Sequence, residues 1–178
     1  GLGATLLKAV RIGSNSILTP IKRMTQREFV RSRYGVWMQA NWADNTFRAC
    51  IEGAYGPFLQ RMLESISPPP HAHTEGRFLF VDIGANQGLY SLIAAKNPAC
   101  VEAIAFEPVE RTADILAANA RRNRVADKVR VVRAAISERE GEVAIAYDPN
   151  HTGGATLREG TGNSEEMTIK LVAIEQVD

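Results

Sequence analysis

The second half of the chain alternates between short apolar runs and segments with helical spacing. Apolar runs at 78–83, 101–106 and 129–136 have the length and composition of buried strands. Between them, residues 89–96 and 109–122 place apolar side chains on one helical face. This βαβαβ order predicts a parallel sheet with right-handed crossovers, and therefore an α/β fold.

Two further segments, 142–147 and 167–174, have the composition of strands and flank a polar, glycine-rich loop at 148–166. They predict an antiparallel hairpin after the third parallel strand.

The N-terminal part contains weaker signals. Residues 34–40 alternate loosely, as a strand does, and Asp44 is a candidate N-cap for the helix that follows. A second helical face restarts after Gly56-Pro57, and residues 67–76 contain three prolines and predict a linker.

Three segments follow from this pattern. Residues 1–33 are predicted as a basic helical arm that begins a helix at Thr19-Pro20. Residues 34–76 form a strand and helix lobe with the proline-rich linker, and residues 77–178 form the α/β domain.

Charge is uneven along the chain. The net charge of +1 gives no general case for nucleic acid, so we expect no nucleic-acid partner. Residues 1–33 carry seven Lys and Arg against one acid, which leaves 14 basic and 19 acidic residues elsewhere, a formal charge of −5. A basic amphipathic helix in this arm could contact a membrane surface. We favour the alternative that it packs on its own domain with a solvated basic face.

Cysteine and histidine give no metal-binding pattern. Cys50 and Cys100 are isolated and predict buried, reduced thiols. His71 and His73 form an H-x-H pair in the linker without a third ligand nearby, so no metal site is predicted. No apolar run approaches the ~20 residues of a membrane span. The first residues do not resemble a signal peptide, so a cytoplasmic location is expected.

The first parallel strand ends in the turn Asp82-x-Gly84-x-Asn86-x-Gly88. Such a turn leaves backbone N–H groups free at the start of the next helix, and glycine allows a ligand to approach closely. A dinucleotide fingerprint would have glycine in place of Asn86. A carboxylate at Asp82 would repel a pyrophosphate, but it suits a ligand with ammonium and sulfonium groups, such as S-adenosylmethionine.

The second parallel strand ends in another carboxylate, Glu107. A carboxylate there can accept hydrogen bonds from both ribose hydroxyls, which are worth about 1.5–3 kcal/mol for bonds to a charged group. Two alternatives remain, a solvated strand-end acid for Glu107 and a helix N-cap for Asp82.

The glycine turn resembles a family signature. Residues 82–91 are similar to the D-x-G-A-N-x-G-x-Y-[ST] motif of the FkbM family of S-adenosylmethionine-dependent methyltransferases. Residues 105–108, 135–143 and 152–157 are similar to further stretches of that family, and the likeness is strongest over 78–157.

The resemblance implies a Rossmann-like class I methyltransferase fold, with S-adenosylmethionine as cofactor. It implies methyl transfer to a hydroxyl of a sugar or other small metabolite. The implied contacts with the methionine end of the cofactor are Asp82, Gly84, Ala85, Asn86 and Gly88.

The other implied cofactor contacts are Glu107 for the ribose and Ala135 near the adenine. The wider fold often has an acid where this chain has Ala135, so backbone groups or another side chain would read the adenine. The catalytic base stays unassigned, because His151 in the polar loop is more simply a loop residue without a catalytic role.

Members of the family continue with a fourth strand that ends in Asp-x-Glu-Gly, whereas this sequence ends at Asp178. We therefore expect an incomplete domain that associates with itself through an exposed sheet edge or through the arm. Two alternative functions stay open at this point. One is a non-catalytic module that uses the same turn for binding or assembly, and the other is an NAD-dependent oxidoreductase.

Overall fold

The computed structural model describes residues 27–66, 76–148, 150–154 and 165–173. Residues 67–75 of the predicted linker and residues 1–26 of the predicted arm lie outside these residues. No helix in the described ranges is long and apolar enough to cross a membrane.

The chain begins with an antiparallel hairpin. Strand β1 (Phe29–Arg31) pairs with β2 (Trp37–Gln39). The loose alternation over 34–40 thus predicted a strand that is shorter in the structure, because the first residues of this run form the turn of the hairpin. The division at 33/34 falls inside this hairpin, so the described end of the predicted helical arm contains a strand.

Two short helices follow, α1 (Asn45–Glu52) and α2 (Pro57–Ser65). The predicted N-cap is confirmed, since the carboxylate of Asp44 accepts hydrogen bonds from the backbone N–H groups of Thr46 (3.0 Å) and Phe47 (3.3 Å). Helix α2 begins at its proline, as the Gly-Pro restart predicts.

The apolar face of α2 contributes less to the core than its periodicity predicts. Leu63 is buried, whereas Phe58 is 79% exposed and Met62 is 45% exposed. The helix therefore packs through a narrow stripe and leaves large apolar side chains on the surface.

A three-stranded parallel sheet forms the centre of the fold. Its strands are β3 (Phe78–Ile83), β4 (Cys100–Phe106) and β5 (Val129–Val132), in the order β3-β4-β5. The crossover helices are α3 (Leu89–Lys96) and α4 (Glu110–Asn123). The predicted α/β architecture is confirmed, and its register places the ends of β3 and β4 side by side.

The two helices cover one face of this sheet. Ala103 and Ala105 of β4 are buried against Leu92 of α3 and Leu116 of α4. The side chains of β3 that point to the opposite face stay exposed: Leu79 at 53%, Val81 at 42% and Ile83 at 62%. The prediction that β3 is a buried strand is therefore wrong for this face, because α3 and α4 pack against the other face.

The apolar run at 129–136 was predicted as one strand, and this is also wrong. After β5, the N–H of Ala134 bonds to the carbonyl of Val132 (3.0 Å), and this tight turn redirects the chain into β6 (Ala135–Ser137). Strand β6 belongs to a different sheet.

The second sheet contains the predicted hairpin. Strand β7 (Gly141–Tyr147) runs antiparallel to β8 (Glu165–Ala173), and β6 runs parallel to β8 on its other side. A small core of Val109, Ile145, Tyr147 and Ile169 is buried against this sheet. The residues of β6 and their neighbours in sequence do not indicate that β6 pairs with β8.

Candidate functional site

The glycine turn at the carboxyl end of β3 contains three residues with left-handed backbone conformation. Gly84 has φ +74°, Asn86 has φ +51° and Gly88 has φ +88°. The N–H groups of Gly84 and Ala85 bond to the carbonyl of Phe106 at 3.0 and 2.9 Å, which ties the turn to the end of β4. The turn is therefore anchored at the junction of two neighbouring strands.

The two outer glycines are needed for different reasons. A Cβ added at Gly88 would lie 2.7 Å from Cγ of the fully buried Leu116, so this position cannot hold a side chain without displacing the core. A Cβ at Gly84 would meet nothing within 4 Å. Gly84 thus leaves open space beside the backbone, whereas Gly88 lets α3 pack closely against α4.

Asp82 lies at the end of β3 and contacts the helix after the turn. Its Oδ2 accepts hydrogen bonds from the backbone N–H (3.1 Å) and the hydroxyl (2.6 Å) of Ser91, in the first turn of α3. Asp82 is therefore not the N-cap, which is Gly88, but its carboxylate binds the first turn of α3 through Ser91 and keeps other lone pairs available. Burial raises the pKa of Asp82, and the hydrogen bonds from Ser91 oppose that rise.

Glu107 lies at the end of β4 and is 6% exposed, so it is not a solvated strand-end acid. Its Oε2 accepts a hydrogen bond from the N–H of Asn86 (2.8 Å) and its Oε1 from the N–H of Val109 (3.0 Å). Burial raises the pKa of Glu107, the hydrogen bonds from Val109 and Asn86 oppose that rise, and the nearby charge of Asp82 adds a smaller increase. The carboxylate thus joins the glycine turn to the second strand end.

The charges of Asp82 and Glu107 are not balanced by a protein cation in the described ranges. The ion pairs found there involve other acids: Arg130–Glu102, Arg133–Glu110 and Arg133–Asp114. The buried carboxylate of Glu107 and the half-buried carboxylate of Asp82 lie at adjacent strand ends, and together they create a negative potential that favours a cationic ligand.

A cavity of about 200 Å³ adjoins the turn. The N-terminal lobe supplies one wall and the glycine turn with α3 supplies the other. Its lining residues are Met38, Thr46, Cys50, Tyr55, Asp82, Ile83, Gly84, Ala85, Asn86, Gln87, Leu89 and Tyr90. A larger groove of about 490 Å³ runs beside the β1–β2 hairpin and the end of α3, and it contains none of the predicted site residues.

The lobe is held against α3 by Tyr90, whose hydroxyl donates a hydrogen bond to the carbonyl of Tyr55 (2.8 Å). Burial raises the pKa of Tyr90 to about 12, and burial also raises the pKa of Cys50 to about 12. Both groups are therefore protonated at neutral pH, and neither supplies an anionic nucleophile or a base. Cys50 and Cys100 are buried free thiols, which confirms their prediction from sequence.

The predicted site residues either line the cavity, lie beside it, or lie apart from it. Four line the cavity: Asp82, Gly84, Ala85 and Asn86. Gly88 is the N-cap of α3, and Glu107 contacts the turn from below through Asn86.

Ala135 lies apart from this arrangement. It begins β6, packs against the second core, and is not a lining residue of the cavity. His151 is exposed on the segment after β7, and Trp42 packs edge-on against Phe47 with ring centroids 5.3 Å apart.

Sequence reasoning missed several residues that shape the site. Asp44 was recognised as a cap, but it also bonds to Gln87 and Thr152, which lie 43 and 108 positions away. Buried Asn119 accepts a hydrogen bond from the N–H of Gln39 (2.6 Å) and donates one to the carbonyl of Gln87 (2.9 Å). The sequence contains one signal for Asn119, which is a polar residue at a position on the apolar face of α4.

The fold and the site define an α/β protein with a nucleoside-cofactor type of turn between its first parallel strand and helix. No family model matches the chain, so the resemblance to the FkbM family stays a prediction. Over 77 residues the chain is 34% identical to "Methyltransferase sdnD" of Sordaria araneosa. The match covers 43% of this chain and 30% of that protein, so the chain spans under a third of this relative's length.

Solved structures show weaker likeness. A transferase of Pyrococcus horikoshii has a TM-score of 0.46 and 20% identity, over 60% of this chain and 36% of that one. An O-methyltransferase family 2 protein of Planctomyces limnophilus, in complex with apigenin, has a TM-score of 0.33 and 19% identity, over 43% and 22%. At these TM-scores the likeness adds nothing to the argument, and the sequence match to a methyltransferase is the informative comparison.

Proposed function

We propose that this chain is the cofactor-binding part of an S-adenosylmethionine-dependent methyltransferase. The observation that carries the proposal is a pair of carboxylates beside an open glycine turn, buried at Glu107 and half-buried at Asp82, and neither forms an ion pair among the described residues. A ligand that brings a positive charge would relieve their mutual repulsion and the cost of their burial. The sequence match to a methyltransferase supports this proposal independently.

The same charges argue against NAD. Its pyrophosphate is an anion and would lie beside an uncompensated carboxylate at Asp82, whereas dinucleotide sites place phosphates on free N–H groups at a helix start. S-adenosylmethionine has no phosphate and carries a sulfonium and an ammonium group. The charge of the site therefore favours the second cofactor.

Glu107 fits the ribose role. Each carboxylate oxygen accepts one backbone N–H in the structure and keeps a further lone pair for a ligand hydroxyl. Because the bonds from Asn86 and Val109 fix the plane of the carboxylate, the acceptors are oriented before any ligand binds. The turn residues Gly84 and Ala85 would approach the methionine end through their backbone.

When bound, S-adenosylmethionine supplies an electrophilic methyl group that is already activated by its sulfonium. The residues of this chain would bind and orient it in the cavity between the N-terminal lobe and the turn. We propose a hydroxyl of a sugar or small metabolite as the methyl acceptor, which rests on the FkbM resemblance. No residue is assigned as the base.

Titration calorimetry with S-adenosylmethionine, S-adenosylhomocysteine and NAD tests the proposal. We expect the two adenosyl compounds to bind and Glu107→Gln to weaken both about tenfold or more, because a charge-assisted acceptor is lost. Glu102→Gln is the matched control, since Glu102 lies on the same strand and pairs with Arg130 away from the turn. The Glu102→Gln variant should bind both adenosyl compounds as tightly as the unaltered chain does.

Three other outcomes would change the conclusion. Binding of NAD alone would overturn the proposal in favour of an oxidoreductase. Equal losses in Glu107→Gln and Glu102→Gln would remove the ribose role of Glu107. Tight adenosyl binding without methyl transfer to any hydroxyl, by a protein that extends through the full length of its relatives, would favour a non-catalytic module.

A further inference from the structure

A carboxylate outside the glycine turn connects three separated segments. Asp44 is fully buried, and its Oδ1 accepts hydrogen bonds from the N–H groups of Thr46 (3.0 Å) and Thr152 (3.2 Å). Its Oδ2 accepts from the N–H of Phe47 (3.3 Å), the hydroxyl of Thr152 (2.8 Å) and the side-chain amide of Gln87. Five donors therefore converge on one side chain.

The charge of Asp44 is held by neutral donors. No Lys or Arg of the part that the structure describes forms an ion pair with Asp44, and its carboxylate caps the start of α1, where the helix dipole favours a negative charge. Because a carboxylate only accepts, Gln87 must turn its NH₂ group toward it. Asp44 thus fixes the orientation of a residue inside the glycine turn.

The contact between Asp44 and the turn extends through Thr152 to Asn86, the residue before Gln87. The side-chain oxygen of Thr152 lies 2.8 Å from Asp44 and 3.0 Å from the side-chain amide of Asn86. Because the hydroxyl donates its single proton to the Asp44 carboxylate, Asn86 completes the contact by turning its NH₂ group toward the Thr152 oxygen. Beside it, the N–H of Gly153 bonds to the hydroxyl of Thr46 (3.2 Å), and the N–H of Asn45 bonds to the carbonyl of Asn150 (3.1 Å). The segment 150–154 is therefore docked against both α1 and the glycine turn.

The docked segment bears on the backbone conformation of Asn86. Asn86 has a left-handed backbone conformation, which asparagine adopts more readily than most L-residues but less readily than glycine. Its backbone N–H must also point at Glu107 to complete the proposed ribose acceptor. Contacts that hold the Asn86 side chain hold this N–H in place.

We propose that Asp44 and Thr152 form a clamp that fixes the glycine turn in its ligand-binding shape. Both are positioning residues that act through Asn86 and Gln87, and neither is required to touch the cofactor. The clamp's effect on cofactor affinity rests on the proposed function, whereas its effect on the turn does not.

Thr152→Val is the variant of choice, since it removes the hydroxyl, keeps the shape and lies outside the main core. Thr152→Ser restores the hydroxyl, and Thr168→Val, at an exposed position of β8, is the matched control. The first measurement is amide hydrogen exchange at Asn86 and Gly88 in the ligand-free protein, with Ala105 in the centre of β4 as the reference for global opening. The second is the dissociation constant of S-adenosylhomocysteine.

We expect Thr152→Val to speed exchange at Asn86 and Gly88 about tenfold and to weaken binding by a similar factor, as one lost buried hydrogen bond predicts. Exchange at Ala105 should not change, Thr152→Ser should behave as the unaltered chain, and Thr168→Val should change nothing.

Unchanged exchange at the turn, or equal acceleration at Ala105, would overturn the clamp. Faster exchange at the turn in a protein that binds no adenosyl compound would support the clamp and refute the proposed function instead. Faster exchange with unaltered cofactor affinity would overturn the link between the clamp and binding.

Discussion

Replacing the two outer glycines of the turn by alanine should separate a folding role from a binding role. Gly84 and Gly88 have similar left-handed backbone conformations, with φ +74° and +88°. They differ in what a methyl group would meet, which is open space at Gly84 and Cγ of Leu116 at 2.7 Å at Gly88. Each variant is therefore the natural control for the other.

The expected losses of stability differ by a few kcal/mol. A left-handed alanine costs about 1–2 kcal/mol at either position. Alanine also reduces the entropy of the unfolded chain, which offsets about 0.4–1 kcal/mol of this cost. At Gly88 the clash with a fully buried leucine adds about 1–3 kcal/mol of overpacking. We expect Gly84→Ala to lose about 1 kcal/mol and Gly88→Ala about 2–4 kcal/mol.

Urea unfolding followed by circular dichroism measures both losses, and calorimetry with S-adenosylhomocysteine measures binding. Gly84→Ala should keep the fold but bind at least about tenfold more weakly, since its methyl group occupies the open space where the backbone meets a ligand. Gly88→Ala should show a lower unfolding midpoint with an unchanged slope.

Two results would refute this reasoning. Equal destabilisation of the two variants would mean that the packing of α3 against Leu116 does not decide the cost. Unaltered affinity in Gly84→Ala would mean that the ligand does not approach the backbone at this residue.

Three further predictions concern charge, burial and the sheet edge. The pKa values of Asp82 and Glu107 are raised above their unfolded values. The ligand-free protein should therefore gain stability relative to Asp82→Asn as the pH falls through the raised values toward the unfolded ones, while affinity for S-adenosylmethionine, a cation, falls in the same window. Asn119→Leu should cost about 2–5 kcal/mol in urea unfolding, since the part-buried N–H of Gln39 and the buried carbonyl of Gln87 both lose their partner. A loss below about 1 kcal/mol, the size of one exposed hydrogen bond, would contradict this. Strand β3 is an edge of the parallel sheet and one of its faces is exposed and apolar, so we expect it to associate with a second copy. Light scattering at micromolar concentration should show Val81→Lys shifted to the monomer, and a monomer before substitution would contradict this prediction.

The local sequence pattern determined most of the secondary structure around the site. The boundaries of α3 and the N-cap at Asp44 follow from nearest-neighbour chemistry, because helix starts depend on residues within one turn. The parallel order β3-β4-β5 follows from the alternation of strands and helices. Because this strand order makes β3 and β4 neighbours, Asp82 and Glu107 at their ends lie close together.

Other features had no local signal. The split of the third apolar run into β5 and β6 depends on which strand lies beside it, and β6 pairs with residues more than 30 positions away. The exposure of one face of β3 depends on where the helices pack. A continuous apolar run does not show whether one face of the strand is covered or both.

The sequence by itself determined the chemistry of the turn: which glycines allow it, and which acids end the two strands. The tertiary structure decided how that turn is held, through Asp44, Gln87 and Thr152, which are brought together across 108 positions of the chain. The physical reason is that hydrogen bonds to a buried carboxylate depend on distances of about 3 Å between segments, and hydrophobic periodicity carries no information about such distances.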